Sequence, residues 1–119
     1  MAQVNISKYI TYVTQRYRMF EGGLATASEN QISYYKSLYK ELIKWRRHHK
    51  LFWLYLLERI EFDELMMLLG LSERGFYRWR ERQVKLFVSH FTEVERDLFK
   101  KYPHKDKLII GELVERVCD

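Results

Sequence analysis

Arg74, Arg78 and Arg82 recur every fourth residue inside the stretch LSERGFYRWRER, Leu71 to Arg82. On a helix this spacing puts them on one face, with Tyr77, Glu81 and Lys85 beside them. A guanidinium can donate two parallel hydrogen bonds to a guanine edge, and lysine, tyrosine or serine can hold phosphate oxygens. The chemistry on offer is therefore recognition of an anionic polymer rather than bond making. A second group of cations is KWRRHHK, Lys44 to Lys50, in which Arg46, Arg47 and Lys50 meet no acid. At the end of a helix such a run also suits the negative pole of the backbone dipole, so it has a structural reason independent of any ligand. The formal net charge of +5 permits a nucleic-acid partner without demanding one.

Other chemistries find little footing. His48 and His49 are adjacent, so on a helix they point roughly 100° apart and share no metal face. His90 and His104 lie far off, and Cys118 is the one cysteine, which leaves no CxxC pair and no internal disulfide. No metal and no other cofactor is expected. GxxxxGKS, GxSxG and HExxH motifs are missing, and the carboxylates fall in charged helical patterns that read as surface, so an enzyme is not expected. Tyr34, Tyr35 and Tyr39 could stack single-stranded bases, but their helical spacing favours a helix–helix interface. Met66 and Met67 read as core filler.

The elements that must position the arginines follow from periodicity. A chain of 119 residues suits one domain, 1–119, and 47% hydrophobic residues with 16% aromatics supply a packed core. One proline and five glycines leave few breaks, so long helices are expected. Ile6, Tyr9, Ile10, Val13, Tyr17 and Phe20 stripe a first helix over 4–20, which EGG at 21–23 ends. Ser28 and Gln31 form a capping box for a second helix reaching about Lys50. Residues 51–60 and 62–69 read as two short helices. Ser72 caps a helix over 72–89, TEVE at 92–95 reads as another capping box for a helix ending near Tyr102, and Leu108, Ile109, Leu113 and Val117 stripe a last one. The expected fold is all-α, with six to seven helices.

FDELMMLL and LSERGFYRWRER, joined by Gly70 and Leu71, meet the local demands of a helix-turn-helix at about 62–89. Leu65 and Leu69 should pack inward, Gly70 should take the turn, Leu71 should fill the space between the helices, Ser72 should cap, and Phe76 and Trp79 should lock the second helix. Gly75 should let a backbone approach closely.

Phe52 to Phe87 resembles the DNA-binding region 4 of sigma-70-type factors, and is similar to small phage late-gene activators of the RinA and ArpU type. Met66 stands where such motifs usually carry alanine, and Glu61 where they carry a Ser or Thr cap. The resemblance implies that the helix after Leu-Gly-Leu-Ser reads promoter DNA, with Ser72, Arg74, Tyr77, Arg78 and Arg82 as reading residues. Lys85, Arg46, Arg47 and Lys50 are the further candidates for phosphate contact.

The expected partner is double-stranded DNA, with RNA polymerase or a second copy of the chain as further partners. Two other readings stay open: a module that binds RNA polymerase or another host protein, and a phage DNA-packaging subunit. MAQVNISKYI lacks a signal-peptide pattern. The most apolar stretch, LFWLYLL at 51–57, is far short of the roughly 20 residues a membrane span needs. A cytoplasmic protein without membrane contact is the expectation.

Overall fold

The computed structural model describes residues 6–23, 26–106 and 109–110. They contain five helices and no strand: α1, Ile6–Glu21; α2, Glu29–His48; α3, Lys50–Leu56; α4, Phe62–Leu69; and α5, Glu73–Lys101. The chain is all-α, as its periodicity implies. No helix among the described residues is long and apolar enough to cross a membrane. Ile109 and Ile110 are helical, but the rest of the helix expected over 108–117 lies outside the described residues, as does Cys118.

α1 and α2 form an antiparallel pair whose facing stripes are largely aromatic. Gly23, in the left-handed region at φ 67°, lies just beyond the end of α1. The α2 start has both halves of the expected capping box: the Gln31 amide donates to Ser28 Oγ at 3.1 Å, and the Ser28 amide donates to Gln31 Oε1 at 3.0 Å. Tyr34 and Tyr35 are buried, and Tyr39 stacks on Tyr17 with ring centroids 4.4 Å apart. These tyrosines hold helix to helix, which leaves Tyr34 and Tyr35 no face for a nucleobase.

α5 runs past both halves of the molecule. Its C-terminal half completes the α1/α2 core: Phe87 and Phe91 are fully buried, and each meets Tyr9 and Trp45 edge to face. Its N-terminal half is covered by α3 and α4. Phe76 packs between Tyr55 and Phe62, with centroids at 5.4 and 4.6 Å, and Trp79 meets Phe52 at 5.9 Å. Trp79 thus locks α5 to α3 rather than to α4.

Two expected helices, 72–89 and 92–102, are therefore one element of 29 residues. Thr92 does not cap; its hydroxyl donates to the Val88 carbonyl at 2.6 Å inside the helix. No glycine or proline stands between Phe76 and Tyr102, so nothing interrupts propagation, and the buried stripe Phe87, Phe91, Glu95 runs straight through the apparent boundary. Pro103 comes directly after the helix.

Candidate nucleic-acid interface

Three residues, Gly70, Leu71 and Ser72, join α4 to α5. Gly70 sits in the left-handed region at φ 65° and ψ 33°, which ends α4 and turns the chain. Ser72 caps α5 by accepting from the Gly75 amide at 3.2 Å. Leu65 and Phe76 are buried, Leu69 and Leu71 half-buried. α4 opens at Glu61 with no side-chain capping bond, unlike the start of α5 at Ser72. Gly75 does not face outward. A Cβ there would meet Ser72 Oγ at 3.4 Å and Leu71 Cδ2 at 3.5 Å, so the position is directed at the turn rather than at an approaching ligand.

The nine candidate residues, Ser72, Arg74, Tyr77, Arg78, Arg82, Lys85, Arg46, Arg47 and Lys50, are all exposed. At roughly 100° per residue, Arg74, Arg78, Arg82 and Lys85 fall within about a quarter-turn of α5, opposite the flank that buries Phe76 and Phe87. From Arg74 to Lys85 the stripe extends roughly 16 Å along the axis at 1.5 Å per residue. Lys85 pairs with Glu81 at 3.3 Å, both well exposed, a bond that an anion could readily exchange. Arg74, Arg78 and Arg82 form no salt bridge among the described residues. Arg80 belongs elsewhere: it is half-buried and donates to the Tyr55 hydroxyl at 3.3 Å. Tyr77 lies on the α4 side of the stripe, with its ring 6.3 Å from Phe62.

The second basic group is not continuous with the first along α5. Its anchor, Trp45, packs on Phe87, His90 and Phe91, on the far flank of α5 from the arginines. Lys44 is paired with Glu41 at 3.3 Å, while Arg46, Arg47 and Lys50 have no ion pair among the described residues. His49 stacks on Trp45 with centroids 3.8 Å apart, whereas His48 is exposed. The two histidines diverge, as adjacent helical positions must.

No protein-family model, curated protein or solved structure matches this chain.

Two features escaped the sequence patterns. Glu95, expected to be a surface carboxylate, is fully buried. It accepts from the hydroxyls of Tyr9 and Tyr34 at 2.7 and 2.8 Å and from the amides of Ile109 and Ile110, both at 2.9 Å. Burial pushes its carboxyl above the ordinary range, and the four hydrogen bonds pull it back. Burial, and then the adjacent carboxylate, raise both phenols far above their usual range, so they remain donors. A positional signal existed: Glu95 continues the i, i+4 series of Phe87 and Phe91. The second feature is Met67, which is 77% exposed and so is not core filler.

Proposed function

We propose that this chain is a sequence-specific DNA-binding transcription regulator, of phage or prophage origin like the late-gene activators it resembles. In this reading α4, the turn and the start of α5 act as a helix-turn-helix, with α5 in the major groove. The observation that carries it is the stripe of Arg74, Arg78, Arg82 and Lys85, solvent-facing on one flank of α5 and set directly behind the Gly70–Ser72 turn. Two features support it: the stripe lies opposite an aromatic contact with α3 and α4, and its three arginines form no salt bridge among the described residues. A helix fixed on its inner side and unsatisfied on its outer side is what base and phosphate contacts require.

Arg74 and Arg78 would meet base edges, with Ser72 and Tyr77 at the adjoining backbone. Arg82 and Lys85 would hold phosphates as the helix leaves the groove. Arg46, Arg47 and Lys50 would reach only flanking phosphates, given their place on the other side of α5. One helix reads few base pairs, so tight site-specific binding calls for a homodimer or for RNA polymerase as a second partner.

Fluorescence anisotropy with duplex DNA across a salt series tests the reading. Wild type should bind at low salt and weaken steeply, and Arg78→Ala should lower the salt slope by about one. No binding at low salt, or an unchanged slope in Arg78→Ala, removes the DNA reading and leaves the arginine stripe as a protein-facing surface.

A further inference from the structure

Met67 and Leu68 are the most exposed large apolar side chains among the described residues, at 77% and 60%. Adjacent on α4, they project about 100° apart, both away from its inner face. In projection Glu64 falls between them and Asp63 at their edge. The inner face, formed by Leu65 with half-buried Met66 and Leu69, is what packs α4 into the fold, so nothing internal requires an apolar residue at 67 or 68.

Acids gather on the N-terminal side of the pair. Glu58, Glu61, Asp63 and Glu64 are all exposed, and none forms a salt bridge among the described residues. The helix dipole accounts for acids in the first turn of α4. It accounts neither for Glu58, which precedes the helix by several residues, nor for the bare methionine and leucine. In a chain of net charge +5, four exposed acids with no salt bridge among the described residues precede the bare apolar pair, Asp63 and Glu64 about one turn from it along α4.

We infer that the outer face of α4 docks a basic amphipathic helix of a partner protein. Apolar side chains of that helix cover Met67 and Leu68, while its lysines or arginines pair with Asp63, Glu64, Glu61 and Glu58. The unbranched methionine can adapt its shape to the apolar face it meets. A second copy of this chain is a poor occupant. Its basic run at 46–50 has no exposed large apolar residue, and Leu86 is the single aliphatic one beside its arginine stripe. This docking face uses no residue of that stripe and stands apart from the DNA reading.

The test uses the full chain and a fluorescein-labelled synthetic helix with leucines three and four apart and flanking lysines. The same peptide with glutamate for lysine is the control. The basic peptide should bind and the acidic one should not. Met67→Ser/Leu68→Ser and Asp63→Lys/Glu64→Lys should each weaken binding about tenfold; Tm should hold in the first, whose two positions are exposed, and fall by a few degrees in the second, which also reverses charge at the α4 N-terminus. Amide chemical-shift mapping on the wild type should place the contact on residues 58–69 without any substitution. Equal binding of the two peptides, binding that ignores both double variants, or shifts confined to other helices overturns the inference. So does a dimer in sedimentation that Met67→Ser/Leu68→Ser splits, because a second copy then covers the face.

Discussion

Glu95→Gln is the substitution with the sharpest consequence for the fold. Each carboxylate oxygen takes two donors: Oε2 accepts from the Tyr9 hydroxyl and the Ile110 amide, and Oε1 from the Tyr34 hydroxyl and the Ile109 amide. Glutamine keeps one such oxygen and replaces the other with an NH2 group. The phenol facing that NH2 can rotate and accept, but the backbone amide beside it cannot. The substitution therefore leaves one main-chain donor unsatisfied and sets N–H against N–H in a site with no solvent access. Hydrogen bonds to a charged acceptor contribute about 1.5–3 kcal/mol each, and an orphaned buried donor costs about 1–3 kcal/mol. Relief of the buried charge offsets part of this loss. The net destabilisation should be roughly 2–4 kcal/mol, which in a domain of this size lowers Tm by about 10 °C. Thermal and urea unfolding followed by circular dichroism measure it. A variant as stable as wild type would refute the accounting, because it would mean that the orphaned main-chain donor costs nothing.

The same group makes a signed pH prediction. Burial raises the folded-state pKa of Glu95 above its ordinary 4.5. A raised carboxyl contributes stability that is present below the unfolded value and lost as pH rises through the folded value. The penalty of Glu95→Gln relative to wild type should accordingly be larger at pH 4 than at pH 7. Tyr9→Phe and Tyr34→Phe each remove a bond that lowers this pKa, so the window should move upward in both. A penalty that shrinks on acidification would show the hydrogen bonds, not burial, setting the titration.

Three further outcomes can be measured with the same unfolding assays. His104, whose side chain is 1% exposed, has its pKa lowered by burial; it should contribute stability above pH 6.5 that is lost as pH falls, and His104→Phe should flatten that loss. Ser72→Ala should cost about 1 kcal/mol as the loss of a working N-cap, whereas Thr92→Ala, which lies inside α5, should cost no more than about 0.5 kcal/mol; equal costs would argue for a helix start at 92. Gly70→Ala should destabilise by about 1 kcal/mol through its positive φ, and Gly75→Ala should instead stabilise by about 0.5 kcal/mol, because the space beside it accepts a methyl at ordinary contact distance.

What could be read from the chain and what could not differ by a physical rule. Patterns closed within a few residues survived: the Ser28–Gln31 box, Gly70 in the left-handed region and the Ser72 cap all depend on neighbours in sequence. Patterns that need a partner from elsewhere divided: the Tyr34, Tyr35 and Tyr39 interface held, whereas the helix boundary at 92 and the surface place of Glu95 did not. TEVE has the letters of a capping box, but a Thr and a Glu three apart mean a helix start only where the helix stops just before them. Here the preceding turns carry Phe87 and Phe91 into a core shared with α1 and α2, and that burial favours continuing the helix. Glu95 then lands on the buried stripe, where charge survives because Tyr9, Tyr34 and two amides of the following segment converge on it. None of those donors lies within three residues of it.

α4 shows the converse. FDELMMLL is apolar nearly all round, so periodicity alone cannot say which side is covered, although the turn pattern pointed to Leu65 and Leu69. The fold covers the side of Leu65, Met66 and Leu69, with α3 and the aromatic start of α5 as neighbours, and leaves Met67 and Leu68 in water. An eight-residue helix held by one inner face has apolar residues to spare. The spare pair follows acids with no salt bridge among the described residues, while Arg74, Arg78 and Arg82, equally without one, line the outer flank of α5. Two adjacent helices thus carry opposite charge with different chemistry at their centres, apolar on α4 and hydrogen-bonding on α5. Each surface predicts a partner of the opposite sign. Under the two proposed readings one chain holds both at once, the arrangement that would bring a protein partner to a DNA site.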